Sequence, residues 1–420
     1  MRSGLKFTLV FLLILMQGLH VSAIQRFPRP EFESGYSQPQ TLVPDPRASI
    51  LAVLDVIILI AALSVVTWLV LKKRSRMGVF LVSVVSLIYF GFYREGCVCS
   101  VGSVQNIALA LFSKSYGISL TILAFFTLPL VFTLFFGRTF CAGVCPFGAL
   151  QDMVAFRPQR LRSGLNAVLG LIPYIYLGLA VLYAATGSDF IICRYDPFVG
   201  IFRFNASFGM FVFAGLLLIS GIFIARPYCR FLCPYGVLLN WMSRFSRKHM
   251  TITPAACIQC RLCEDSCPYD AIQIPVKQKN PESKQSRLRK FIRISFLIPL
   301  LAWAGGFTGS LLHEMLAGVN PTVRLAKQVM EPGKDRSLPE TFEITAFRSS
   351  GKPAEQLFKE TKVILDEFYW GGWLLGGFIG LVFGLMIAGS MRKRYQPDYI
   401  PDKAHCLSCA RCMDYCPVKS

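Results

Sequence analysis

The fold class this sequence predicts is an all-α polytopic membrane protein, with about seven membrane helices behind a signal peptide and a small ferredoxin-like two-cluster module in the cytoplasm. Three observations lead there. Of the 420 residues 54% are hydrophobic and 16% charged, and the apolar residues fall in blocks of about twenty rather than in amphipathic stripes. Basic residues collect beside the ends of alternate blocks, so the net charge of +20 reads as membrane topology and not as a nucleic-acid surface. The fifteen cysteines lie mostly in regular motifs closed by proline, unlike the scattered pairs of a disulfide-stapled secreted domain.

Arg2 and Lys6, the apolar run Phe7 to Met16 and Val21-Ser22-Ala23 are the three parts of a signal peptide, residues 1–23. An uncleaved signal anchor is the alternative, and either way the chain emerges outside. The proline-rich stretch 24–48 reads as an extended periplasmic linker, since its prolines forbid helix and its few apolar residues cannot form a core.

Seven helices are expected near Ser49 to Leu71, Met77 to Tyr93, Ile118 to Gly137, Leu165 to Thr186, Phe208 to Ala225, Phe291 to Leu312 and Trp370 to Met391. Inward exits then fall on Lys72-Lys73-Arg74, Arg138, Arg226 to Arg230 and Arg392-Lys393-Arg394, as the positive-inside rule requires. This divides the chain into a membrane domain, 49–250, a ferredoxin-type segment, 251–290, a membrane helix, 291–312, a periplasmic segment, 313–369, a membrane helix, 370–391, and a second ferredoxin-type segment, 392–420. Within 313–369 the run 340–347 alternates like a strand.

Cys257, Cys260, Cys263 and Cys267, followed by Pro268, have the bacterial ferredoxin spacing, in which three thiolates of a tight loop reach three irons and the fourth ligates the other cluster. Cys406, Cys409, Cys412 and Cys416, followed by Pro417, repeat it. Two membrane helices between the copies return the chain to one side, where they assemble a split domain with two [4Fe-4S] clusters. Paired zinc sites are the rival, but zinc knuckles do not place a fourth cysteine before proline.

A second repeat is Arg138-x-x-Cys141-x-x-x-Cys145-Pro146-Phe147-Gly148 and Arg226-x-x-Cys229-x-x-x-Cys233-Pro234-Tyr235-Gly236. Each proline suits the first turn of a helix whose N-terminus then faces the thiolates, a setting that favours an anionic metal–thiolate centre. Cys141, Cys145, Cys229 and Cys233 are expected to form one shared, additional iron–sulfur or metal–thiolate site. The rival is that each pair packs between helices as buried apolar cysteine.

Arg94-x-x-Cys97-x-Cys99 with Gly102 and Gln105-Asn106 is a shorter third copy that faces outward. With Cys193 it makes a candidate outward metal or redox site, lacking a fourth partner for which Asp196, His313 or a partner's thiol is available. A periplasmic disulfide between two of Cys97, Cys99 and Cys193 is the alternative.

From Ser49 onward, on the paired Cys-x-x-x-Cys-Pro and ferredoxin motifs, the sequence resembles the membrane polyferredoxin family of NosR-type nitrous oxide reductase accessory proteins and NapH-type subunits of periplasmic nitrate reduction. The resemblance implies electron transfer, in a bacterial cytoplasmic (inner) membrane with the cluster motifs on the cytoplasmic side, from a quinol or cytoplasmic donor to a periplasmic redox protein or flavoprotein subunit. NosR-type proteins carry an external FMN-binding domain, for which residues 24–48 are too short, so no FMN is expected. The separation of the ferredoxin motifs by membrane helices also departs from the NapH arrangement.

The alternative function is an accessory reductase for maturation of a respiratory metalloenzyme. A transporter or sensor would place charges within its helices, and apart from Asp55 these show little of that. With histidines only at 20, 249, 313 and 405, no bis-His haem site spans the helices. No catalytic residue is expected, because one-electron steps need no general base.

Overall fold

The computed structural model describes residues 49–417 except 97–98, 114–115, 157, 162, 253–256, 277–283, 331–341, 350 and 392–397. The signal peptide and linker, Cys97 and the basic run 392–394 lie outside the described residues. Two compact units divide at Ile58. The first contributes the opening turns of α1, and the second, from Leu59, carries every site described below.

Helix α1 (Ser49–Trp68) runs into a π-helical turn, Leu69–Lys73, and α2 (Arg76–Ser86) runs through a second, Leu87–Tyr93. Then come α3 (Ser100–Phe112), α4 (Leu120–Phe136), α5 (Thr139–Gly143), α6 (Pro146–Val154), α7 (Ser163–Leu169) and α8 (Ile172–Ala185). Four short or bent elements follow: α9 (Ile191–Tyr195), α10 (Pro197–Arg203), α11 (Phe208–Phe223) and α12 (Pro227–Phe231). Helix α13 (Pro234–Arg244) leads to α14 (Leu262–Ser266), β1 (Ile272–Gln273) and the long α15 (Lys284–Leu311). Helices α16 (His313–Ala317), α17 (Pro321–Met330), α18 (Phe342–Ser349) and α19 (Ala354–Met391) precede β2 (Ile400–Pro401) and α20 (Arg411–Asp414).

The chain is a multi-pass membrane protein. Among the described residues five helices are long and apolar enough to cross a bilayer: Ile50–Lys73, Arg76–Tyr93, Gly164–Ala185, Ile292–Leu311 and Ala354–Gly389. The pair α10 and α11, bent by 110°, makes a sixth if it counts as one span. Helix α4 is equally apolar but has 17 residues, at the short limit for a crossing. Exposed Phe208, Leu216 and Ile219 on α11, and Phe296, Leu300 and Trp303 on α15, are the lipid-facing surface such helices present.

Two sequence expectations change. Residues 342–349 form helix α18 and not a strand, because a lone strand leaves its backbone groups unpaired whereas a helix satisfies them locally. Helix α19 begins at Ala354, well before Trp370, so the last membrane helix projects into the segment assigned as external.

Small residues bring α15 and α19 together. A Cβ on Gly309 would run into the Gly372 carbonyl, and one on Gly376 into that of Gly305, so the two backbones touch directly. This hairpin returns the chain to the ferredoxin segment: β1 and β2 pair antiparallel, Ile272 opposite Pro401 and Gln273 opposite Ile400. The two motifs, far apart in sequence, thereby share one small module, with Ile252, Cys263, Ile272 and Tyr399 in its core.

Candidate metal centres

Both ferredoxin loops have the same backbone. Gln259 and Arg261 in the first, at φ 53° and 64°, match Ser408 and Ala410 in the second, at 52° and 58°. Left-handed residues at alternate positions are the backbone pattern from which anion-binding nests of N–H groups are built. No glycine marks these positions, so no residue type signals the conformation. Thiolate-bearing loops that also present N–H groups suit an anionic iron–sulfur cluster.

Cys267 leaves its own motif to join the other. With Cys406, Cys409 and Cys412 it lines a hollow of about 340 Å³, open space included, whose remaining walls include Ile272 and Pro401. Cys412 is within electrostatic reach of Cys409, Cys406 and Cys267. Burial pushes the Cys406 thiol up to about 12, against the opposing Ser408 N–H, so a metal entering here displaces protons.

The second repeat also converges. Cys145 is within electrostatic reach of Cys229, Cys141 and Cys233, and Cys229 of Cys141, which brings both halves to one site. Cys145 and Cys233 are the N-caps of α6 and α13, each with proline in the first turn, as the motif suggests. Gly236 N–H donates to Cys233 Sγ at 3.3 Å. Gln151 Nε2 donates to Cys229 Sγ at 3.3 Å, while its Oε1 accepts from Tyr228 N–H at 2.9 Å. Burial pushes the Cys229 thiol up to about 12, opposed by the Arg226 charge.

The repeated arginine and glycine prove to be partners across the pseudo-symmetry. A Cβ on Gly148 would stand 3.1 Å from Arg226 Nη1, and one on Gly236 3.5 Å from Arg138 Nη2. Each glycine therefore leaves room for the guanidinium of the opposite copy.

Those arginines tie the quartet to the ferredoxin module. Arg226, fully buried, donates from Nε to Asp152 Oδ1 at 3.0 Å and from Nη2 to Oδ2 at 2.8 Å, and also bonds the Cys141 carbonyl. Arg76 Nη2 reaches Asp152 Oδ2 at 2.8 Å and its Nη1 the Cys409 carbonyl at 3.5 Å. Tyr269, two residues after Cys267, donates to Asp152 Oδ1 at 3.2 Å. Arg138 Nη1 donates to the Ala404 carbonyl at 3.2 Å. Burial would raise Asp152, but Arg226 and Arg76 outweigh it and hold the carboxyl well below the usual range. Asp152 was legible only as part of a helical stretch; nothing local marks it as a junction.

Among the described residues no three Cys, His, Asp or Glu side chains close around a single ion. Of the outward set, Cys99 caps α3 and Cys193 lies exposed on α9. Asp196 is the N-cap of α10, accepting from Phe198 and Val199 N–H and from Tyr228 Oη–H at 2.7 Å, so its oxygens are already committed. His313 Nδ1 sits 2.7 Å from the Ser310 carbonyl, within its own helix turn.

This architecture defines a membrane iron–sulfur protein of the electron-transfer type. A 4Fe-4S binding domain family matches residues 118–163 and 206–253, the segments that hold the quartet, and a second 4Fe-4S binding domain family matches 250–273. NirI of Paracoccus denitrificans is 29% identical over 233 residues, covering 50% of this chain and 33% of NirI. The putative electron transport protein YccM of Escherichia coli is 26% identical over 163 residues, 35% of this chain and 45% of YccM. The regulatory protein NosR of Pseudomonas aeruginosa is 28% identical over 226 residues, 48% of this chain and 30% of NosR. The chain thus spans less than half the length of each of these relatives. No solved structure matches it. These matches support the resemblance of the chain to the NosR/NapH-type membrane polyferredoxins.

Proposed function

We propose that this chain conducts electrons across a bacterial inner membrane, from a quinol or cytoplasmic donor to a periplasmic acceptor, through three four-cysteine sites. Cys406, Cys409, Cys412 and Cys267 would hold one [4Fe-4S] cluster, and Cys257, Cys260, Cys263 and Cys416 another, in the crossed pattern of two-cluster ferredoxins. Cys141, Cys145, Cys229 and Cys233 would hold a third. When bound, such clusters supply reversible one-electron storage. The protein's own part is to fix the thiolates, to donate N–H groups to sulfur and to surround the sites with Arg76, Arg138 and Arg226.

The observation that carries this reading is Cys267 lining the same hollow as Cys406, Cys409 and Cys412. The basic inward exits support a cytoplasmic position for the ferredoxin module. Substituting Cys260 or Cys409 by alanine, with electron paramagnetic resonance of the reduced, anaerobically purified protein, is the test. Each variant is expected to lose one cluster's signal, and unchanged spectra in both would defeat the proposal.

A further inference from the structure

The outward cysteines sit in a copy of the inner site that has a donor to spare. Gln105 stands six residues after Cys99, as Gln151 stands six after Cys145. Gln151 holds a backbone N–H with its oxygen and gives its nitrogen to Cys229 Sγ. Gln105 does the first half: its Oε1 accepts from Ile192 N–H at 2.9 Å and Cys193 N–H at 3.4 Å. Those donors fix which end of the amide is oxygen. The Nε2 group, in a fully buried side chain held against Cys193, has no hydrogen-bond partner among the described residues. A buried amide N–H without an acceptor is costly, and a thiolate sulfur is what the equivalent nitrogen binds in the inner site.

Both sulfurs meet at Gly102. Cys99 caps α3 with its sulfur beside the Val101 and Gly102 N–H groups. A Cβ on Gly102 would stand 3.2 Å from Cys193 Sγ, so the missing side chain is what admits the second sulfur. Cys193 is exposed, and Cys99 is half-buried at the α3 N-terminus. Cys99 and Cys145 line one apolar hollow with Phe140 and Phe147, so the inner quartet borders this site. Arg76, at the start of α2, touches the Cys409 carbonyl, whereas Cys99 follows the far end of that span.

We infer that Cys99 and Cys193 form a redox-active dithiol at the end of the membrane region away from the ferredoxin module, reducing a disulfide of a partner protein. It rests on the electron-transfer reading above for its reductant. The exposed Cys193 thiolate attacks one sulfur of the partner's disulfide, forming a mixed disulfide and releasing one partner thiolate. Cys99 then attacks Cys193 Sγ, releasing the second partner thiolate and leaving a Cys99–Cys193 disulfide. Two electrons, delivered singly from this chain's iron–sulfur sites, and two protons from water restore the thiols. Gln105 is a positioning residue: its Oε1 holds the Ile192 and Cys193 backbone N–H groups and so fixes Cys193 beside Gly102.

The test uses the full chain in membranes, with differential alkylation and peptide mass spectrometry to follow the pair. After mild oxidation by diamide, a Cys99–Cys193 linked peptide is expected; its absence overturns the inference whether or not clusters are present. On anaerobic reduction with reduced methyl viologen the link should open in the wild type and persist in Cys141→Ser/Cys229→Ser. Equal opening in both overturns the supply from the inner site. Electron paramagnetic resonance of the same samples reports cluster reduction separately: reduced clusters with a closed link refute the dithiol but spare the electron-transfer reading, and clusters that never form refute that reading. Gln105→Leu, which frees the Ile192 and Cys193 N–H groups, should lower the yield of the Cys99–Cys193 linked peptide; an unchanged yield removes its assigned role.

Discussion

Replacing Asp152 by alanine removes the carboxylate that Arg226 and Arg76 share and leaves Arg226 fully buried without its ionic partner. Arg76 retains some access to solvent, with 16% of its side chain exposed, so the penalty falls mainly on Arg226. Removing one member of a buried ion pair costs about 3–5 kcal/mol. At about 1.4 kcal/mol per decade, opening of this junction should become roughly a hundred- to several-thousandfold more frequent. Buried Cys141 and Cys145 lie within the opened region, so in protein stripped of iron by a chelator their maleimide labelling rate in detergent reads the change directly. The double variant Asp152→Leu/Arg226→Met, which replaces the pair with apolar groups, should label much closer to the wild-type rate. An alanine variant that labels less than about fivefold faster would refute the argument that this carboxylate compensates a buried cation. The pH dependence follows from the depressed carboxyl: its contribution is present above the unfolded pKa near 4 and is lost as pH falls through the lower folded value. The gap between wild type and variant should therefore stay constant between about pH 5 and pH 8.

Cys267→Ser should alter the same magnetic resonance signal as Cys409→Ala, because Cys267 lines the hollow of the second motif; a match to Cys260→Ala instead would undo the crossed assignment. Gln151→Leu deletes the N–H that reaches Cys229 Sγ and should move the midpoint potential of the quartet's centre negative in a redox titration, since that hydrogen bond favours the more reduced, more anionic state. Gly376→Ala places a methyl against the Gly305 carbonyl and should destabilise the α15–α19 hairpin by about 1–3 kcal/mol, seen as a lower melting temperature in detergent.

Metal chemistry was the most legible part of the sequence, because cysteine spacing maps onto ligand geometry almost without tertiary context. Pro146 and Pro234 likewise announced helix starts that the structure contains. Helix α3 was not legible as such: in its first turns, Ser100 to Gln105, Val101 and Val104 alternate with polar or small residues whose burial comes from packing that no local pattern encodes. The 110° bend between α10 and α11 was hidden for a related reason, since the apolar run from Phe208 reads as an independent span. The alternation at 340–347 misled because eight residues of period two do not supply a partner strand. Most consequential, Arg138 and Arg226 looked like topology signals and members of a repeat, whereas each lies against the glycine of the opposite repeat and binds toward the ferredoxin module. A sequence lists such residues by copy and does not say that the copies exchange partners.

Iron and acid-labile sulfide counted on anaerobically purified protein, wild type beside Cys141→Ser/Cys229→Ser, test the three-site account most directly. The account predicts about twelve irons per chain in the wild type and about eight in the variant, with both ferredoxin-type signals retained. About eight irons in both proteins would contradict it, leaving the quartet as buried thiols.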